Sequence, residues 1–198
     1  FLHLYPDTLV ILSMDADHLD IYSDLSDMEK AYEVLTMQIK PNGQLILGGD
    51  FRDKFSASWS ESMKEKGIKV LELDKDFGFD NVNIENARFN FDFQGTRLKL
   101  NGLVSFLPGR HNLINTSIAL EIASQLGMKS ALMSEAVKEF EGIKRRFQLL
   151  HEGERVLIDD YAHHPSEIQK TLKTAKQFAD QKVLAVLQPH RYSRLAKL

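Results

Sequence analysis

Three short apolar runs, separated by stretches of helical pattern, constrain the first part of this chain more than any other feature. Residues 8–12 are β-branched and apolar, the length and content of a buried strand. Residues 44–47 and 68–73 repeat that pattern. Between the first two runs, residues 26–39 place Met28, Tyr32, Leu35 and Ile39 on one helical face, with Ser26 as a cap and Glu29 in the first turn. Pro41-Asn42-Gly43 stops this helix, and Gly48-Gly49-Asp50 breaks the pattern after the second run. A further helix over 55–66 is closed by Gly67. Strand, helix, strand, helix, strand in this order predicts a parallel α/β sheet.

The texture changes after Asp74. Residues 82–84, 87–93 and 97–100 alternate apolar and polar side chains, and Gln94-Gly95-Thr96 supplies a turn. This predicts a small antiparallel insert, to which 103–107 can add a strand. Pro108-Gly109-Arg110-His111-Asn112 then opens an apolar helix running to Leu126, and a second helix covers 130–140. A basic connector, Glu141-Gly142-Ile143-Lys144-Arg145-Arg146-Phe147, marks a domain boundary, giving domains 1–143 and 144–198. Beyond it, apolar runs at 156–158 and 183–187 flank an amphipathic helix over 166–178, a β-α-β pattern with the two runs as neighbouring parallel strands. The fold class expected is therefore α/β: a parallel-sheet domain with an antiparallel insert, followed by a partial Rossmann-like α/β domain.

Bulk properties exclude several functions. The chain has 198 residues, 43% of them hydrophobic, enough for a real core and one or two domains. A net charge of -3 without a long basic run argues against nucleic acid as a partner. The absence of cysteine removes disulfides, thiolate metal sites and cysteine nucleophiles. No apolar run approaches the roughly 20 residues of a membrane helix. The start at Phe1 has neither an initiator Met nor the pattern of a signal peptide, and the chain reads as a piece of a longer protein.

Polar clusters gather at predicted element ends. Of the 7 histidines, His18, His111, His163, His164 and His190 lie in such clusters. Asp15, Asp17, His18 and Asp20 offer oxygen and imidazole ligands for a divalent cation, and serve equally as an acidic turn capping the next helix. A metal-dependent hydrolase would need a denser histidine set nearby. Gly109, Arg110, His111, Asn112 and Asn115 sit at a helix start, where free backbone N–H groups favour phosphate and an Asn amide matches the adenine edge. A plain cap by Asn112 is the commoner meaning of that spacing. Lys144, Arg145 and Arg146 can clamp phosphate or simply form a solvated linker. Asp159, Asp160, His163 and His164 suit ribose hydroxyls, a metal or a carboxylate, while His190, Arg191 and Arg194 suit an anion. The last two groups follow the apolar runs 156–158 and 183–187, the edge at which open α/β sheets bind ligands.

Taken together, five blocks resemble the Mur ligase family across essentially the whole chain. They are Asp15-Ala16-Asp17-His18-Leu19-Asp20-Ile21-Tyr22, Gly109-Arg110-His111-Asn112-Leu113-Ile114-Asn115, Lys144-Arg145-Arg146-Phe147, Asp159-Asp160-Tyr161-Ala162-His163-His164-Pro165 and Pro189-His190-Arg191-Tyr192-Ser193-Arg194. The resemblance covers most of the family's central domain and the start of its C-terminal domain. It implies a cytoplasmic, ATP- and Mg²⁺-dependent ligase of peptidoglycan precursor synthesis, joining L-alanine to UDP-N-acetylmuramate through an acyl phosphate. Such chemistry is mostly positioning and charge neutralisation.

By the same resemblance, His18 helps hold Mg²⁺, Asn112 and Asn115 contact adenine, and His111 lies close to the phosphates. Arg146 and Asp160 reach ATP, Asp160 through the ribose, and Tyr161 lines the adenine pocket. His163, His190, Arg191 and Arg194 face the sugar nucleotide, the acyl phosphate or the incoming alanine, with His163, Arg191 and Arg194 as the catalytic candidates. The family's Gly-Thr-His-Gly-Lys-Thr-like phosphate loop is not among these 198 residues, so the segment alone is expected not to ligate. The alternatives are the related ligase that recycles a tripeptide onto the same sugar nucleotide, and a non-catalytic nucleotide-binding module of the same fold.

Overall fold

A computed structural model describes residues 2–14, 22–85, 88–151, 153–179 and 182–188. The acidic cluster around His18 and the Pro189–Arg194 block, with His190, Arg191 and Arg194, lie outside the described residues.

The predicted alternation forms a three-stranded parallel sheet in the order β1-β2-β3, from β1 (Thr8–Ile11), β2 (Gln44–Leu47) and β3 (Lys69–Glu72). Thr8 pairs with Gln44, and Gln44 with Lys69, so the three strands run in register. Helix α1 (Leu25–Met37) connects the first two strands and α2 (Trp59–Glu65) the last two. Its N-cap is Asp24, not Ser26: the Asp24 carboxylate accepts the Asp27 N–H at 2.8 Å. A carboxylate at the positive end of a helix outcompetes a hydroxyl two residues further in. The second helix is shorter than the expected 55–66, because Phe55 is extended, at φ -106 and ψ 160, and the helix begins only at Trp59.

Leu45, Ile46 and Leu47 are fully buried. Strand β2 lies between two neighbours with both faces covered, so a continuous apolar run replaces alternation. Ile11, Ile39, Trp59 and Met63 pack with Leu45 and Leu47 into one core. The Trp59 ring stacks on Phe55 at 4.3 Å, and its Nε1–H donates to the Thr36 hydroxyl at 2.9 Å.

The antiparallel insert comprises β4 (Gly78–Glu85), β5 (Arg88–Gln94) and β6 (Lys99–Ser105), in that order. Phe89, Phe91 and Phe93 occupy the buried face of β5 as the alternation predicted. Helices α3 (Arg110–Gln125) and α4 (Ser130–Glu139) follow. Glu121 of α3 is fully buried, yet its oxygens receive the Thr96 N–H at 3.0 Å, the Thr96 hydroxyl and the Gln125 amide at 2.8 Å. A buried carboxylate needs such donors to offset its lost hydration.

The last part departs from the β-α-β expectation. Residues 156–159 do carry a strand, β8 (Leu157–Asp159), but its partner is β7 (Gln148–His151), antiparallel. Helix α5 (Pro165–Phe178) forms as predicted. The parallel strand expected over 183–187 is not present: residues 182–188 carry no secondary structure, and Leu184 and Val186 are 91% exposed. An apolar run supplies side chains for a strand, but the strand itself is made by ladder bonds, and no described residue offers that run a ladder.

The chain divides into two compact units. One comprises Phe1–Asp80, Phe93–Leu100 and Ile114–Ser130; the other comprises Asn81–Asp92, Asn101–Leu113 and Ala131–Leu198. Among the described residues no helix is long and apolar enough to cross a membrane.

Removing the Glu121 carboxylate strips the partners from a buried turn. The Glu121→Ala variant is expected to lose about 2–3 kcal/mol in urea unfolding, with Glu121→Gln losing less. A loss within about 0.5 kcal/mol for the alanine variant would contradict this role.

Candidate functional site

The second unit gathers six of the predicted site residues, His111, Asn112, Arg146, Asp160, Tyr161 and His163, around one turn and two helix starts. The turn at residues 144–147 places two non-glycine residues in the left-handed region, Arg145 at φ 59 and Phe147 at φ 50. Each costs on the order of 1–2 kcal/mol and persists only where neighbouring bonds hold it. Gln148 supplies one, its Oε1 accepting the Arg145 N–H at 2.9 Å, and the end of β8 supplies the others. Asp160 accepts the Phe147 N–H at 2.8 Å with Oδ2 and the Ala162 N–H at 2.7 Å with Oδ1. The Tyr161 N–H donates back to the Arg145 carbonyl at 2.8 Å.

This lashing fixes the side chains around it. The Arg145 guanidinium lies 4.9 Å over the Tyr161 ring and that of Arg146 at 6.0 Å, favourable cation–π placements. The Tyr161 and His163 rings meet edge-on at 5.2 Å. Arg145 also lies 3.6 Å from Asp159, with Nε facing Oδ2.

Helix α5 begins immediately beyond. His164 is its N-cap, with Nδ1 accepting the Ser166 N–H at 3.3 Å, Pro165 in the first turn and Glu167 completing a capping box. The Glu167 carboxylate receives the backbone N–H of His163 at 3.1 Å and of His164 at 3.3 Å. Burial pushes the Glu167 carboxyl upward, but these two N–H groups, the His163 ring and Arg146 together hold it below its ordinary 4.5. The His163 Nδ1 lies 3.1 Å from the Tyr161 carbonyl, which can only accept, so a hydrogen bond there requires a proton on Nδ1.

The start of α3 supplies the facing wall. Gly109 has φ 96, and a Cβ there would come within 2.7 Å of the His111 ring and 2.9 Å of the Thr174 hydroxyl. Glycine is required on both counts: for the turn, and for the approach of α5. The Asn112 side chain does not cap the helix with its oxygen; its Nδ2 donates to the Pro108 carbonyl at 2.7 Å, pinning the loop. His111 is partly buried, and its pKa lies below 6.5. Burial is the main cause and Lys170 adds to it; Asp160 opposes, and Arg146 lowers it further. His111, Arg146, Asp160 and Lys170 are thus electrostatic neighbours. Asn115, exposed and one turn further along α3, belongs to the other unit.

The arrangement therefore joins His111, Arg146, Asp160, Tyr161 and His163. Glu167, Lys170 and Thr174 were not singled out in the sequence, although their spacing places them along one face of α5. Among the described residues no group of three or more His, Cys, Asp or Glu could hold a metal ion. The cations around His111 fit a polyphosphate, and Asp160 retains lone pairs for a hydroxyl donor after its two backbone bonds.

Comparison with known proteins decides the family. The Mur ligase middle domain matches residues 2–123, more than half of the chain. The chain belongs to the Mur ligase family. The Mur ligase glutamate ligase domain matches residues 145–198 as well. The chain is 36% identical over 197 residues to the UDP-N-acetylmuramate–L-alanine ligase of Christiangramia forsetii, covering 98% of this chain and 41% of that protein. It is 34% identical over 206 residues to the protein of the same name in Caldicellulosiruptor bescii, covering 100% and 44%. This Mur ligase chain thus spans about two-fifths of the length of these curated relatives. Among solved structures, MurF from Acinetobacter baumannii matches with a TM-score of 0.72 at 20% identity, covering 87% of this chain and 38% of that one. An FPGS-AMPPCP complex matches with a TM-score of 0.75 at 17% identity, covering 91% and 45%. These two likenesses establish a shared fold.

A histidine whose folded pKa is depressed binds fewer protons than in the unfolded chain below 6.5. Its contribution to stability is present above that value and is lost as pH falls through the folded pKa. Urea unfolding at about pH 7.5 and about pH 5.5 should show a smaller loss on acidification for His111→Gln than for the natural chain. Equal losses in the two proteins would remove His111 from the account.

Proposed function

We propose that the polypeptide carrying this chain is a cytoplasmic, ATP-dependent ligase of peptidoglycan precursor synthesis that joins L-alanine to UDP-N-acetylmuramate. One observation carries this reading: the match to ligases of that name runs through 98–100% of the chain, including every segment of the candidate site. Residues 1–143 then belong to the central domain and 144–198 to the start of the C-terminal domain.

In this reading ATP supplies the phosphoryl group that turns the sugar's carboxylate into an acyl phosphate. The amine of L-alanine then attacks the acyl carbon, phosphate leaves, and an amide remains. The chain's own residues bind and orient. Arg146 and Lys170, both close enough to act on His111, offset polyphosphate charge, while the His111 ring offers a hydrogen bond to the same anion. Asp160 uses its remaining lone pairs for a ribose hydroxyl. Asn112 and Asn115 are assigned to adenine, and Tyr161, braced by Arg145, is assigned to the nucleotide as well. His163, with its proton held on Nδ1, faces the sugar nucleotide or the acyl phosphate together with His190, Arg191 and Arg194. For Mg²⁺ the described residues provide no ligand group, and His18 is the ligand this reading assigns.

The test is an assay of the natural polypeptide containing this chain, with ATP, UDP-N-acetylmuramate and either L-alanine or the tripeptide. Phosphate release dependent on L-alanine is expected. Arg146→Ala should raise the KM for ATP by about tenfold or more, the scale of one lost charge-assisted contact. Turnover only with the tripeptide would transfer the protein to the recycling reaction. No turnover with either would leave a nucleotide-binding module.

A further inference from the structure

Glu167 makes more contacts than a helix cap requires. It stands at the third position of α5, where a capping box needs one of its oxygens to accept the His164 backbone N–H. That bond is present at 3.3 Å, on Oε2. The same oxygen also accepts the His163 N–H at 3.1 Å and lies 3.4 Å from the His163 Nδ1. The other oxygen, Oε1, faces the Arg146 Nη1 at 3.8 Å. One carboxylate thus joins the helix start to two residues of the candidate site, one on the strand end and one on the left-handed turn.

The two oxygens divide the work. The backbone N–H groups converge on Oε2, and capping would be complete without a charge on Oε1. The Arg146 pair is more than a third exposed on both sides, so it adds little to stability. What it supplies is direction: a guanidinium on a flexible stem, extending from a strained turn, is held beside His163. The His163 Nδ1 is likewise placed by two oxygens, the Tyr161 carbonyl at 3.1 Å in a hydrogen bond and the Glu167 Oε2 close by at 3.4 Å.

We propose that Glu167 is a positioning residue of the ligase site, setting Arg146 through Oε1 and the Nδ1–H tautomer of His163 through Oε2. The proposal rests on the ligase reading for its effect on turnover, but its geometry is testable without turnover.

Glu167→Gln is the discriminating change. The amide oxygen can take the place of Oε2 and keep both backbone bonds, which leaves the amide NH₂ where Oε1 was, donor facing donor at Arg146. In the chain itself, Glu167→Gln should melt within about 2 °C of the natural protein, whereas Glu167→Ala loses the cap and melts lower. Nitrogen NMR of the His163 ring should show the Nδ1–H fraction kept in Glu167→Gln, where an oxygen still stands at the Oε2 position, and reduced in Glu167→Ala. In the natural polypeptide, kcat/KM for ATP should fall about tenfold, and Arg146→Ala with Glu167→Gln should be no worse than Arg146→Ala alone. Additive losses in that cycle would overturn the proposal, as would an unchanged tautomer in Glu167→Ala or a melting loss in Glu167→Gln equal to that of Glu167→Ala. If the natural polypeptide does not ligate, the functional reading fails, and the tautomer and melting results still judge Glu167.

Discussion

The candidate site depends on one carboxylate with both oxygens committed to backbone. Asp160 bonds the Phe147 N–H on one side and the Ala162 N–H on the other. Without it, the left-handed Phe147 would lose the bond that holds its N–H, and the turn that carries Arg146 would lose one of its ties. A carboxylate suits this task better than a neutral acceptor, since bonds from N–H to an ionised oxygen are the stronger kind. The same group lies close enough to His111 to act on it electrostatically.

The electrostatics of the site follow from this bracket. Arg146 and Lys170 both disfavour a proton on His111, and partial burial does so more strongly than either. An imidazole kept neutral among cations can share an anionic ligand with them without adding to their repulsion. Opposite it, the Glu167 carboxylate faces Arg146 and offsets part of its charge. The site combines fixed positive charge with a neutral hydrogen-bonding ring, an arrangement suited to a polyphosphate.

Much of the fold was legible because the local signals agree with the tertiary ones. Strand β2 lies where Pro41-Asn42-Gly43 and Gly48-Gly49-Asp50 bound an apolar run, and β5 announces itself by Phe89, Phe91 and Phe93 at alternate positions. Strand β7 was missed: Leu149 and Leu150 are adjacent, and the register shifts between Leu149 and His151, so no alternation marks it. The run at 183–187 has the composition of a strand, but pairing decides strands and composition does not. In the site, the clustering of His111, Arg146, Asp160 and His163 was foreseeable from their positions at element ends. Glu167 was not, because an acid in the first turn of a helix has a sufficient local explanation. His164 as a cap was missed because an imidazole is an uncommon one.

The account rests most directly on the Asp160 bracket, and amide hydrogen exchange reads it at single residues. In Asp160→Ala, the Phe147 and Ala162 amides are expected to lose protection by about tenfold or more relative to the natural chain, the scale of a lost bond to a charged acceptor. The amides of Leu45 to Leu47, in the other unit, should stay as protected as before. Undiminished protection at Phe147 and Ala162 would contradict the central claim that this carboxylate holds the site together.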